Sequence, residues 1–153
     1  WKALVQLYDD KRVRAIGVSN FHIHHLNDIM DATSVVPVID QVELHPLLSQ
    51  IELRAFCKEQ AIQMEAWSPL MKGNLDIPVL LDIAKHHKKT PAQVVLRWHI
   101  QHEIVVIPKS IHEQRIIENS LVFDFALTQE EMAQINALNQ NQRFGSDPDN
   151  FNF

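Results

Sequence analysis

The stretch IPKSIHEQRIIEN, residues 107–119, gathers side chains that suit the binding of an anion. Lys109 and Ser110 stand where a short apolar run meets a helical pattern, and Arg115, Glu118 and Asn119 follow along that pattern. A positive charge beside a helix N-terminus makes an anion site, because the free backbone N–H groups and the helix dipole both favour negative charge. Arg115 adds a planar guanidinium that fits a phosphate or lies flat on an aromatic base. Lys109 admits a second chemistry, attack on a carbonyl to form a Schiff base, with Arg115 lowering its pKa. A purely structural reading also exists, since Ser110-x-x-Glu113 has the form of a capping box.

Three more polar clusters end or interrupt apolar runs. Ser19 and Asn20 follow VRAIGV, Gln41 lies within VPVIDQVEL, and Trp67 and Ser68 close IQMEAW. Asn20 also suits an N-cap, and Trp67 taken alone suits a core. Gln41 is harder to dismiss, because a buried amide must find partners. Tyr8 sits in a helical pattern and is expected to pack. Glu43 and Glu65 read as paired structural carboxylates within strands. His22, His24, His25, His86 and His87 read as surface residues without the carboxylate company of a metal site, so no metal ligand is assigned. His45, before Pro46, reads as a loop-orienting residue.

The elements that must carry these residues alternate. VRAIGV (13–18), VPVIDQVEL (36–44), IQMEAW (62–67) and EIVVI (103–107) are short runs rich in β-branched and apolar residues. Between them lie helical patterns. Leu26, Ile29, Met30 and Thr33 mark one face, Leu53, Phe56 and Cys57 another, and Leu80, Leu81 and Ala84 a third. Ser49-x-x-Glu52, Thr90-Pro91-Ala92-Gln93 and Thr128-x-x-Glu131 read as capping boxes, and Asp76 as a cap. Further helices are expected over 111–121 and 128–139. Trp1, Leu4, Val5 and Tyr8 already follow helical spacing with no start signal before them. The chain is therefore expected to be the later part of a longer protein.

Strands spaced by helices imply parallel βαβ units whose strands are buried on both faces. The chain has only three glycines among 153 residues and no G-x-G-x-x-G, which disfavours a doubly wound dinucleotide fold and favours a barrel. The expected fold is a (β/α)8 TIM barrel, of which this chain supplies about the last four strand–helix units. In such barrels sites lie at the C-terminal ends of the strands, and the four polar clusters fall there or close by. A net charge of −5 gives no general attraction to nucleic acid or anionic membrane. No run is long enough to span a bilayer, and the single Cys57 suits a reducing compartment. A cytoplasmic protein with no nucleic-acid or membrane partner is expected.

KRVRAIGVSNF (11–21) and IPKSIHEQRIIEN (107–119) resemble two signature segments of the aldo-keto reductases. DQVELHP (40–46) and EAWSPL (65–70) resemble that family's intervening strands, and DPDNFNF resembles the ending of its small bacterial members. The resemblance covers essentially the whole chain. It implies the C-terminal half of a single barrel over 1–153, with a tail over 140–153, completed by a missing N-terminal half.

The resemblance implies NADPH as cofactor and a small-molecule aldehyde or ketone as substrate. Ser19, Asn20 and Gln41 would hold the nicotinamide carboxamide, and Trp67 would stack on its ring. Ser68 and Leu70 would contact the pyrophosphate, near Lys72 and Gly73. Lys109, Ser110 and Arg115 would take the 2′-phosphate, and Glu118 and Asn119 the adenine edge. His112 departs from the small hydroxyl residue found there in some members, and the loop after Leu70 is short for a cofactor-clamping belt. The family's catalytic Asp, Tyr, Lys and His match no position here, so no catalytic residue is assigned and the chain alone is expected to be inactive. Two alternatives stay open: a non-catalytic NADPH-binding module, and a Schiff-base barrel enzyme using Lys109.

Overall fold

The computed structural model describes residues 1–151, so Asn152 and Phe153, the end of the expected tail, lie outside the described residues. Helices and strands alternate as the patterning requires. The order is α1 (Lys2–Asp9), β1 (Val18–Ser19), α2 (Ile23–Thr33), β2 (Ile39–Glu43), α3 (Ile51–Glu59), β3 (Gln63–Trp67), α4 (Pro78–His87), α5 (Pro91–Gln101), β4 (Val105–Val106), α6 (Glu113–Ser120) and α7 (Gln129–Asn136). The strands form one parallel sheet in the order β1-β2-β3-β4, with Val18 facing Asp40 and Ser19 facing Gln41.

Two strands are shorter than their apolar runs, for local reasons. Residues 13–17 follow a left-handed turn at Lys11 (φ 56°) and stay outside the ladder. Gly17 there passes so close to β2 that a Cβ would lie 2.3 Å from the Ile39 side chain. At the fourth strand, Ile104 N–H donates to the His99 carbonyl, so the end of α5 claims a residue that patterning gives to β4.

The capping signals divide in the same way. Thr90 and Thr128 form full capping boxes with Gln93 and Glu131. Ser49 does not cap α3. That helix starts after Gln50, held left-handed at φ 49°, and the Ser49 amide donates to Asn139. Asp76 does not cap α4 either, since Ile77 is the N-cap and Pro78 opens the helix. In α1, Tyr8 is 44% exposed, which overturns the expectation that it packs.

The chain divides into two compact units. The first comprises Trp1–Val42, Gln50–Glu65 and the tail from Ser146. Its buried side chains include Leu26 of α2, Val42 of β2, Leu53 and Cys57 of α3, and Met64 of β3. The second comprises Glu43–Ser49 and Ala66–Gly145. It is built around α5, where Gln93, Val94, Val95, Leu96, Trp98 and His99 are all buried. Trp98 Nε1 donates to Asn136 Oδ1 at 2.8 Å, fastening α7 to that core. Among the described residues, no helix is long and apolar enough to cross a membrane.

Candidate functional site

A pocket of about 740 Å³ opens within the second unit, a size usual for small-molecule sites. Ser68, Leu70, Lys72 and Gly73 line it from the segment after β3. Lys109 and Ser110 line it after β4, and Arg115, Glu118 and Asn119 from α6. Its charged side chains are mostly cationic: Lys72, Lys109 and Arg115 stand against Asp76 and Glu118. The arrangement suits an anionic ligand with a polar, hydrogen-bonding end.

The start of α6 differs from the sequence expectation. The helix begins at Glu113 with His112 as N-cap, so Ser110-x-x-Glu113 forms no capping box. Ser110 Oγ instead accepts from His112 N–H at 3.1 Å and donates to the His112 carbonyl at 3.3 Å. The hydroxyl thus shapes the turn that carries Lys109, and Lys109 and Arg115 both remain exposed.

Gln93 holds the other end of α6. Its Oε1 accepts from Thr90 N–H, while Nε2 donates to the Glu118 and Leu121 carbonyls, each at 3.0 Å. Capping residues commonly serve one helix, whereas this one ties the start of α5 to the end of α6. Lys89 reinforces the junction by pairing with Asp124 at 2.6 Å. Sequence patterning identifies the Gln93 capping box and gives no signal of its second role.

The segment after β3 is tightly wound. Ser68, Met71 and Lys72 have φ of 52°, 52° and 53°, and Gly73 has φ 91°. Non-glycine residues in the left-handed region collect at ligand sites, where surrounding contacts sustain the strain. Nothing lies within 4 Å of where a Gly73 Cβ would stand. Lys72 Nζ donates to the Phe144 carbonyl at 2.7 Å.

Trp67 is half-buried at the end of β3 and does not line the pocket. Its indole edge meets Gly145, where a Cβ would lie 2.5 Å away. Glu43 holds this stretch, accepting from Phe144 N–H at 2.7 Å and Gly145 N–H at 3.0 Å. His45 Nε2 lies 3.2 Å from the same carboxylate. Burial holds the His45 ring below its ordinary pKa, against the opposing pull of Glu43. Glu43, which patterning assigns only a structural pairing, therefore anchors residues 144–145 by their backbone.

Ser19, Asn20 and Gln41 belong to the first unit. Ser19 Oγ and Asn20 N–H both donate to the Gln41 carbonyl, at 2.8 and 2.9 Å. Asn20 is left-handed at φ 60° and is not the cap of α2, which is His22. The Gln41 amide donates to Glu65, so both find the partners a strand interior demands. Beside Gln41, burial raises the Asp40 carboxyl to about 7. Cys57 is pushed up to about 12 by burial and the Asp40 charge, so it is no reactive thiolate.

His24 and His86 are exposed as expected, but the histidines have the carboxylate company that patterning denies them. His22, His24 and His25 converge on Asp149, and His86 and His87 converge on Glu131. The carboxylates come from α7 and the tail, too far along the chain for local patterning to pair them.

A family model, described as the aldo/keto reductase family, matches residues 1–140. The chain belongs to the aldo/keto reductase family. It is 59% identical to the "uncharacterized oxidoreductase YtbE" of Bacillus subtilis (strain 168), covering 100% of this chain and 55% of that protein. It is 55% identical to the glyoxal reductase of the same organism, covering 100% of this chain and 56% of that one. Among solved structures, the NADPH complex of a Gox0644 mutant superposes with a TM-score of 0.97 at 48% identity, covering 100% of this chain and 57% of that one. The chain spans about half the length of the curated relatives it matches. As expected from the sequence, its parallel four-stranded sheet and alternating helices are the C-terminal half of an aldo-keto reductase (β/α)8 barrel.

Proposed function

We propose that the protein carrying this chain reduces small aldehydes or ketones with NADPH, reactive dicarbonyls such as glyoxal among them. The observation that carries this reading is the pocket that gathers Lys109, Ser110, Arg115, Glu118 and Asn119 with Ser68 and Leu70. The fit to the cofactor rests on its cations, its polar far end and the left-handed segment at 68–73. Lys109 and Arg115 neutralise the 2′-phosphate, with Arg115 offering a planar fork. Glu118 and Asn119 hydrogen-bond the adenine edge, and Ser68 and Leu70 meet the pyrophosphate. Trp67 walls the nicotinamide and excludes water. For Ser19, Asn20 and Gln41 as carboxamide ligands, the support is the family resemblance. Bound NADPH supplies the hydride that the carbonyl carbon accepts. The proton for the oxygen comes from a general acid outside the 153 residues.

A relative named glyoxal reductase supports the dicarbonyl class. The Schiff-base alternative asks for a desolvated lysine, and Lys109 is exposed. The test is NADPH oxidation by the intact protein with glyoxal, methylglyoxal and a simple ketone. Turnover fastest on the dicarbonyls is expected. Absence of turnover on every carbonyl, with NADPH still bound, would favour the non-catalytic cofactor-binding module instead.

A further inference from the structure

Three imidazoles and one carboxylate meet at the start of α2. His22 Nδ1 lies 2.9 Å from Asp149 Oδ2, and His24 Nε2 and His25 Nε2 each lie 3.2 Å from Asp149 Oδ1. One ligand atom from each of the four residues falls within 4.8 Å of all the others. A tetrahedral ion about 2.0–2.1 Å from each nitrogen or oxygen donor sets neighbouring donors about 3.3 Å apart. The histidine–carboxylate separations of 2.9 and 3.2 Å lie at or just under that edge.

From this convergence we infer a site for a divalent transition-metal ion, held by His22, His24 and Asp149, with a remaining position open to water. The ring of His25 takes a different part. Its Nδ1 accepts the His22 backbone N–H at 3.0 Å, so in the neutral ring Nε2 carries the proton, 3.2 Å from Asp149 Oδ1. Neither nitrogen of the neutral His25 ring then has a lone pair free for an ion, and its N–H faces the carboxylate from beside the site. Asp149 is aimed from its own side, its N–H donating to Asp147 Oδ1 in the turn Pro148–Asn150.

Access and donor chemistry fit such an ion. The side chains of His22, His24 and Asp149 are 23%, 60% and 41% exposed, so an ion can enter from solvent and keep a water. Imidazole nitrogens select zinc, cobalt, nickel or copper over magnesium and calcium, which prefer oxygen. Binding would join the tail to α2 through Asp149.

The experiment is calorimetric titration of the untagged, intact protein with Zn²⁺, paired with visible absorption of the Co²⁺ form. Wild type is compared with His24→Ala, with Asp149→Asn and with the double variant His86→Gln, His87→Gln, which removes the second histidine cluster. Asp149 and His24 are solvent-facing, so their variants should fold. One ion per chain is expected, weakened by about tenfold or more in His24→Ala and Asp149→Asn. The double variant should keep it, and Mg²⁺ should give no response. No saturable Zn²⁺ binding, or binding lost only in the double variant, would overturn the inference.

Discussion

Gln93 Nε2 donates to the Glu118 carbonyl at 3.0 Å, so the residue that caps α5 also fixes the helix carrying Arg115, Glu118 and Asn119. Removing that amide leaves the Glu118 and Leu121 carbonyls without their donor. Gln93→Ala is expected to destabilise the fold by about 1–3 kcal/mol. NADPH affinity should fall with it, because α6 loses its fixed end. Thermal denaturation and cofactor titration of the variant check both, and unchanged values in each would detach Gln93 from the site.

Gly145 lies against Trp67 and Glu43. A Cβ there would stand 2.5 Å from the indole and 3.2 Å from Glu43 Oε2. Neither neighbour can yield easily, since Glu43 also holds the Phe144 and Gly145 amides. Gly145→Ala is expected to cost about 1–3 kcal/mol through overpacking. Chemical denaturation measures it, and a neutral substitution would mean the strand end is looser than described.

Trp67 should report on cofactor. Trp98 is fully buried with its Nε1 bound to Asn136, and Trp1 Nε1 donates to Thr33. If Trp67 walls the nicotinamide, NADPH quenches tryptophan fluorescence and Trp67→Ala abolishes most of the quench. A quench of the same size in the variant would return Trp67 to a packing role.

What the sequence reveals of this molecule follows the distance over which each signal acts. Thr90–Gln93 and Thr128–Glu131 are legible because a capping box is complete within four residues. Ser49-x-x-Glu52 has the same form and fails, because Asn139, far along the chain, claims the Ser49 amide. The cationic pocket lining is legible because Lys109 and Arg115 lie six residues apart, on the segment after β4 and in α6. The histidine clusters are illegible because Asp149 and Glu131 arrive from distant segments. Glu43 escapes notice for a related reason: its partners are backbone amides, which leave no pattern of side chains.

His99 makes stability depend on pH. It is fully buried, with Nδ1 2.8 Å from the Val95 carbonyl and Nε2 3.0 Å from that of Leu44. Burial lowers its pKa from 6.5 to about 4, outweighing the carbonyls that favour the charged ring. The unfolded chain then binds a proton that the folded chain refuses. The contribution is fully present above about pH 6.5 and is lost as pH falls towards about 4. Urea midpoints across that range should drop for wild type and drop less for His99→Gln. Parallel profiles would assign the acid sensitivity elsewhere.

The 153-residue chain by itself is expected to show no carbonyl reduction, since no residue of it matches the family's catalytic acid. Neither Tyr8 nor His45 is among the residues that line the pocket. Purified chain mixed with NADPH and glyoxal should leave absorbance at the nicotinamide band constant. Clear turnover would require a general acid among these residues.

Lys109 and Arg115, as proposed, lock the 2′-phosphate of NADPH in place. Dissociation constants of NADPH and NADH, measured for wild type and Arg115→Ala, test it most directly. Losing one charge-assisted contact costs about 1.5–3 kcal/mol, roughly ten- to a hundredfold in affinity. Wild type is expected to bind NADPH more tightly than NADH, and Arg115→Ala to weaken NADPH by that factor while NADH changes little. Equal affinity of wild type for the two cofactors would contradict it.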